Sequence, residues 1–219
     1  MGTGMAEQVP LRSLPEAARG AGRAESDPIR LAAEIASLKA ELAVLRARVA
    51  ELETHAERDA LTGVLNRRGF ERELARAHSY FERYGGNAAL IYLDLDGFKP
   101  VNDQHGHVAG DAMLVAITKV LIEAVRASDA VARLGGDEFA VLLWNLSAHA
   151  AQKKAVALER QIAETRVDWD GGPLAVGASA GVAELTPDRN AGEILARADA
   201  AMYARKRQRK GASEPAVEP

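Results

Sequence analysis

A chain of 219 residues has room for one ordinary domain plus an appendage, and a domain of roughly 150 residues can bury about 70% of its unfolded surface. Its 28 basic and 31 acidic side chains leave a formal charge of -3, which argues for no nucleic-acid or membrane surface, and the lack of cysteine excludes disulfides and thiol chemistry. No apolar run approaches the roughly 20 residues of a membrane span and no signal-peptide pattern opens the chain, so the expectation is a soluble, cytoplasmic protein.

Residues 1–27 are rich in Gly, Ala, Arg, Glu and Pro without a period, and read as a disordered leader that carries no chemistry. Over 28–58 the pattern changes. Leu31, Ile35, Leu38, Leu42, Leu45, Val49 and Leu52 follow at alternating steps of four and three, the spacing of a coiled-coil seam. With Ile35, Leu42 and Val49 at a and the leucines at d, the mixture favours a parallel dimer. In such a pair each g residue meets the e residue five positions on in the partner. Glu34 with Lys39, Glu41 with Arg46 and Arg48 with Glu53 are all opposite in sign. Exposed pairs of this kind contribute about 0.2–1 kcal/mol each, so they select orientation more than they stabilise. The expectation is a parallel homodimer through 31–52, where an unidentified protein partner could also act. A lone amphipathic helix packed on its own domain and an antiparallel pair are the weaker alternatives.

The stretch DALTGVLNRRGF (59–70) breaks the heptad at Thr62-Gly63 and starts a second helix near Asn66. The periodicities then predict a strand over 88–93, an irregular segment with a short helical turn, a helix over 108–125 and strands over 130–134 and 138–144. A helix over 148–164, a strand over 174–182 and a helix over 191–207 follow, and 211–219 reads as a frayed tail. Gly135-Gly136 between two apolar strands signals a tight hairpin in which glycine supplies positive φ angles. Strands interleaved with helices, and at least one hairpin, point to an α/β layer fold with a sheet that is at least partly antiparallel.

Asp137 and Glu138 therefore belong to a hairpin rim, and the first strand, AALIYLDLD, also ends in carboxylates, Asp94 and Asp96. If that strand lies beside the hairpin, acids from separate parts of the chain converge at one sheet edge. Clustered carboxylates repel unless a cation holds them, and hard oxygen ligands suit magnesium. Singly, a glycine turn with acidic neighbours is a solvated hairpin and a strand ending in Asp is a cap. Together with GFKPVNDQHGHVAGD, dense in polar groups and glycines, they favour a nucleotide site, with Asn102 and Asp111 suited to a base edge and Lys99 to phosphate.

Four motifs, DALTGVLNRRGF, DLDGFKPVNDQHGHVAGD, RLGGDEF and ADAAMYARK, resemble in order and spacing the motif series of the GGDEF family of diguanylate cyclases over 59–210. Gly97, Pro100, Arg205 and Arg209 depart from the residues usual in that family. The resemblance implies a palm-like nucleotidyl cyclase fold, a central mostly antiparallel sheet flanked by helices and preceded by the coiled-coil helix. It implies that two GTP molecules condense to cyclic di-GMP with release of two pyrophosphates. By the same resemblance Asp94, the Leu95 carbonyl and Glu138 hold Mg2+, with Mn2+ an alternative, and Asp137 helps the cation bind and activate the 3′-hydroxyl. Asn102 and Asp111 recognise guanine, Leu61 lines its pocket and His107 is nearby. Gly97, Phe98, Lys99, Lys206 and Lys210 meet the phosphates, and Gly135 and Gly136 let the hairpin backbone approach the nucleotide. RASD (126–129) stands where many members carry an inhibitory product site, Arg126 and Asp129 being its ends. Capping chemistry is the alternative for that quartet. The rival functions are a degenerate domain that only senses cyclic di-GMP or GTP, and a scaffold without ligand.

Overall fold

The computed structural model of the chain describes residues 28–213. The leader over 1–27 and the tail beyond 213 lie outside the described residues. Contacts divide the chain into Met1–Val49 and Ala50–Pro219. Helix α1 (Pro28–Ala56) is continuous over 29 residues. Leu31, Ile35, Leu38, Leu42 and Leu45 of its heptad seam are between 44% and 58% exposed in the single chain. The side chains of Val49 and Leu52 lie outside the described residues. No helix among the described residues is long and apolar enough to cross a membrane.

The second unit contains α2 (Arg67–Tyr84), β1 (Ala88–Asp96), α3 (Phe98–His105), α4 (His107–Glu123), β2 (Ala130–Gly135), β3 (Glu138–Trp144), α5 (Ala148–Glu164), β4 (Gly177–Glu184) and α6 (Ala191–Ser213). The four strands form one sheet in the order β2-β3-β1-β4, and every neighbouring pair is antiparallel. β1 lies inside the sheet beside β3, and both its faces are covered. Ile91, Leu93 and Leu95 join Phe139 and Val141 against Met113, Ile117 and Leu158 of α4 and α5. Leu90 and Tyr92 join Ala140 and Leu142 against Phe70 and Leu74 of α2 and Ile194, Ala198 and Met202 of α6. That two-sided burial explains why β1 reads as a continuous apolar run rather than an alternating one.

Five expectations need correction. The segment after β1 is a full helix, α3, because Gly97 turns the chain in a left-handed conformation (φ 84°) and Phe98 and Val101 then anchor in the core. The helix expected over 108–125 spans His107–Glu123. The strand expected from 174 begins at Gly177, since Leu174 instead pairs with Val167 in an isolated bridge. The last helix extends beyond 207 to Ser213. Finally, the hairpin turn is Gly136-Asp137 rather than Gly135-Gly136, and neither glycine has positive φ. Gly135 still pairs with Glu138, and a register shift between Arg133 and Gly135 leaves Leu134 as the extra residue of a bulge. The bulge supplies the local twist that positive-φ glycines were expected to supply.

Gly181 sets the position of α6. A Cβ at this residue would run into Met202 N and Ala198 O, so only a bare backbone lets the helix lie directly on β4.

Candidate active site

The acids converge at the end of the two central strands, not at a sheet edge, because β1 and β3 lie inside the four-strand order. Asp94 and Glu138 are direct cross-strand partners. Strand alternation puts Asp94 on the face of Leu90 and Tyr92, toward α2 and α6. Like charges directly opposite one another are destabilising, so this pair requires positive charge. Lys206 of α6 forms an ion pair with Asp94, and Arg67 of α2 stands 3.5 Å from Glu138 Oε2 while its Nε donates to the Leu134 carbonyl at 3.0 Å. Partial burial pulls the Lys206 ammonium down, but Asp94, with Asp96 and Asp137 further off, outweighs it and leaves its pKa raised. Burial and then the neighbouring Glu138 carboxylate push the Tyr92 phenol up to about 12.

Beside this pair opens a cavity of about 500 Å³ lined by residues 95–100, Asp137, Gly177, Lys206 and Arg209. The hairpin tip is fastened to it by the Leu95 amide, which donates to the Asp137 carbonyl at 3.1 Å. Lys99, Gly97 and Phe98 contribute the start of α3, where unpaired helical N–H groups favour anions. The lining brings Lys99, Lys206, Arg209 and the start of α3 together with the carboxylates of Asp96 and Asp137. This arrangement suits a phosphate chain held together with a divalent cation. The available donors are hard oxygens, Asp94, Glu138, Asp137 and the Leu95 carbonyl, a set that fits Mg2+ or Mn2+. Among the described residues no three acidic or histidine side chains stand together as a ready metal cluster. Ammonium and guanidinium groups stand beside two of these acids, Lys206 at Asp94 and Arg67 at Glu138.

The residues expected to read the base lie apart from the cavity walls. Asn102 is on α3 and Asp111 on α4, two helices that pack on one another. Asn102 Oδ1 is buried without a hydrogen-bond partner, an unsatisfied acceptor of the kind a ligand N–H would satisfy. A Cβ at Gly110 would collide with that same oxygen, so this mid-helix glycine preserves the seat of the amide. His107 is exposed at the start of α4, and Leu61 is exposed in the turn before α2. The side chain of Lys210 lies outside the described residues.

Several contributors were not assigned from the sequence. Arg133 spans the hairpin: its Nε and Nη2 donate to the Gly136 carbonyl at 3.0 and 2.9 Å, and its Nη1 meets Asp59 at 3.3 Å. Burial alone would raise the Asp59 pKa, but hydrogen bonds from Thr62 and the Arg133 guanidinium outweigh it and hold the carboxyl below its ordinary 3.8. Asp59 and Arg133 both stand in the quoted motifs, yet only the fold brings these residues, 74 apart in the chain, into contact. Gly110 and Arg67 likewise gain their roles from neighbours distant in sequence or on another helix.

At the opposite end of the sheet, Asp129 is fully engaged by backbone. Its Oδ2 accepts from Arg126 N at 3.0 Å and its Oδ1 from Trp144 N at 3.0 Å. The Arg126 side chain is exposed and lines a second cavity of about 530 Å³ together with Arg58, Arg76 and Glu73.

This hairpin, sheet order and helix arrangement define a nucleotidyl-cyclase-like palm domain. The family model "Diguanylate cyclase, GGDEF domain" matches residues 56–212. The chain is 38% identical over 168 residues to the probable diguanylate cyclase DgcE of Escherichia coli K12, covering 76% of this chain and 15% of that one. Among solved structures it is similar to a sensory box/GGDEF family protein from Caulobacter crescentus, with TM-score 0.65 and 43% identity over 69% of this chain and 99% of that one. It is also similar to the coiled coil and GGDEF domain of DgcB from Caulobacter crescentus in complex with c-di-GMP, with TM-score 0.71 and 30% identity over 81% of this chain and 95% of that one. The chain belongs to the GGDEF family of diguanylate cyclases. It spans half or less of the length of these curated relatives.

Proposed function

We propose that the chain is an active diguanylate cyclase that joins two GTP molecules into cyclic di-GMP. The observation that carries this proposal is the direct pairing of Asp94 with Glu138 beside a cavity walled by Lys99, Lys206 and the start of α3. A divalent cation, Mg2+ or Mn2+, held by Asp94, Glu138 and the Leu95 carbonyl, would neutralise charge on the phosphates. Lys99 and Lys206 bind and orient the triphosphate. Asn102 and Asp111 receive the guanine edge, with Leu61 against the base, and the unsatisfied Asn102 acceptor supports that role. Asp137 at the hairpin tip helps draw the proton from the attacking 3′-hydroxyl. The 3′-oxygen forms a bond to the α-phosphorus of the opposing GTP, the bond to its β-phosphate breaks and pyrophosphate leaves. The same event in the reverse direction closes the ring. Positioning and charge neutralisation suffice for such in-line transfer, with no covalent protein intermediate.

Each chain offers one such site, and a symmetric product needs two sites face to face. The exposed seam of α1 supports a parallel homodimer that raises the effective concentration of one catalytic domain near another. Product inhibition is also proposed: Arg126, with Arg58 and Arg76 on the same cavity, offers guanidinium groups suited to the phosphates of cyclic di-GMP. Purified full chain incubated with GTP and Mg2+ should release cyclic di-GMP and two equivalents of pyrophosphate. Binding of GTP without turnover would sink the cyclase assignment in favour of a receptor.

A further inference from the structure

A third cavity, of about 330 Å³, opens at the hairpin turn and shares no lining residue with the cavity of Lys99 and Lys206. Arg67 and Arg68 of α2 and Arg133 of β2 line it together with Asp59 and the backbone of Gly135 and Gly136, so three guanidinium groups meet a single carboxylate. Two of the three are committed. Arg133 donates to the Gly136 carbonyl and meets Asp59, and Arg67 donates to the Leu134 carbonyl and stands beside Glu138. The Arg68 side chain is exposed, and no hydrogen bond or ion pair with another described residue holds it. Local structure gives no reason for its charge. Arg67 and Arg68 open the first turn of α2, which holds no acid, although the start of a helix favours negative groups. Nor does the helix start itself call for a ligand, since Asn66 Oδ1 accepts from Gly69 N at 3.0 Å. The surplus charge belongs to side chains from two elements, and an anion in the cavity would offset it.

We propose that this cavity is an oxyanion site for the phosphates of the nucleotide held by a second copy of the chain, with Arg68 as the substrate-binding residue that grips them across the dimer. The inference rests on the proposed cyclase reaction. In that reaction a 3′-oxygen from one subunit comes within bonding distance of the α-phosphorus held by the other, and Asp137 at the hairpin tip serves the 3′-hydroxyl. Phosphates of the facing subunit are thereby brought to the tip. Consecutive residues of the turn, Gly136 and Asp137, line the two different cavities, so the tip separates Lys99 and Lys206, which serve the chain's own triphosphate, from Arg68. A guanidinium can take two phosphate oxygens in a fork and stabilise the charge that develops as pyrophosphate leaves. Arg133, through Asp59 and the Gly136 carbonyl, is a positioning residue that holds the cavity wall in place.

Mixed dimers of the full chain test it, with GTP and Mg2+ as the probe. Arg68→Ala alone should release pyrophosphate at least about tenfold more slowly than wild type, while its urea midpoint is no lower, because a cation leaves the first helical turn. The variant is then mixed with an excess of Glu138→Gln chain, so that most Arg68→Ala chains pair with a partner that lacks a working metal site but keeps Arg68. Acting across the dimer, the partner's Arg68 completes one half of the pair. One bond from a 3′-oxygen to an α-phosphorus forms, one pyrophosphate leaves, and the linear dinucleotide accumulates without ring closure. Pyrophosphate release per Arg68→Ala chain should rise about tenfold over that variant alone. No rise would mean that the cavity serves its own chain's nucleotide or a free phosphate ion, and would overturn the inference. A wild-type rate in Arg68→Ala, or a slow rate matched by a lowered urea midpoint, also overturns it. If Arg68→Ala fails to fold by circular dichroism, Arg68→Gln takes its place in both arms. Wild type that makes no cyclic di-GMP overturns the cyclase reading and this inference together, whereas a productive wild type whose mixture shows no rise overturns the inference alone.

Discussion

The two ends of the central hairpin use the same residue types in opposite ways. At the Gly136-Asp137 end, Asp94 and Glu138 face each other and are met by the side chains of Lys206 and Arg67. At the far end, Asp129 gives its two oxygens to the backbone amides of Arg126 and Trp144. Side-chain cations are exchangeable, because a metal ion can take their place beside the acids while the chain path stays fixed. Backbone amides are not, because releasing them opens a turn and the end of β3. An acid held by side chains is thus poised for ligand, whereas one held by amides is part of the scaffold. In the 126–129 quartet the two ends differ: Asp129 holds the turn through backbone amides, while the Arg126 side chain is exposed on a cavity.

The sharpest test of that contrast is Glu138→Gln, which removes one charge from the pair with almost no change in volume. Cyclic di-GMP formation should fall by about 10²-fold or more, while the urea midpoint stays near wild type. Near-normal turnover in the folded variant would break the comparison at its active end. The pair of substitutions Leu38→Lys and Leu45→Lys should act on the same end alone, since in the proposed reaction catalysis requires a second site facing the first. Specific activity at low protein concentration should drop on the order of 100-fold and recover partly on concentration, with sedimentation reporting monomer. A fully active monomer would show that the seam has no such role.

Smaller effects are expected at the far end. Arg126→Ala should raise the cyclic di-GMP concentration for half inhibition about tenfold, whereas Asp129→Ala should lower stability by about 1–3 kcal/mol through two unpaired amides. Denaturant titration and product-inhibition curves on both variants separate the roles. A stable Asp129→Ala protein would remove the scaffold argument.

The smallest effect concerns the brace behind the hairpin. The native pKa of Asp59 lies below its ordinary 3.8, so its stabilising contribution is present above that value and is lost as pH falls through the lowered native pKa. Asp59→Asn should therefore be less stable than wild type at pH 6, and the gap should shrink as denaturant titrations move to pH 3 and below. A gap independent of pH would mean that the Asp59–Arg133 pair acts through shape alone.

Local pattern was enough to reveal helix α1, the apolar run of β1 and the motif acids, because each depends on neighbours a few residues away. It also suggested that Asp94 and Glu138 converge if the strand lies beside the hairpin, and they do pair, at the end of two interior strands rather than at a sheet edge. Other features needed distant partners and became visible only with the fold. The Gly136-Asp137 turn and its bulge depend on the register of β2 against β3, which no pair of glycines encodes. α3 becomes a full helix because Phe98 and Val101 find the core. The seat of Asn102 on Gly110, the bare contact of Gly181 with α6, and the cavity shared by β1, α3, the hairpin tip and α6 all arise from close approach between elements. Sequence determines which groups are available within a turn or strand, while packing between layers decides which of them meet, because only there does one element's steric and electrostatic surface constrain another's.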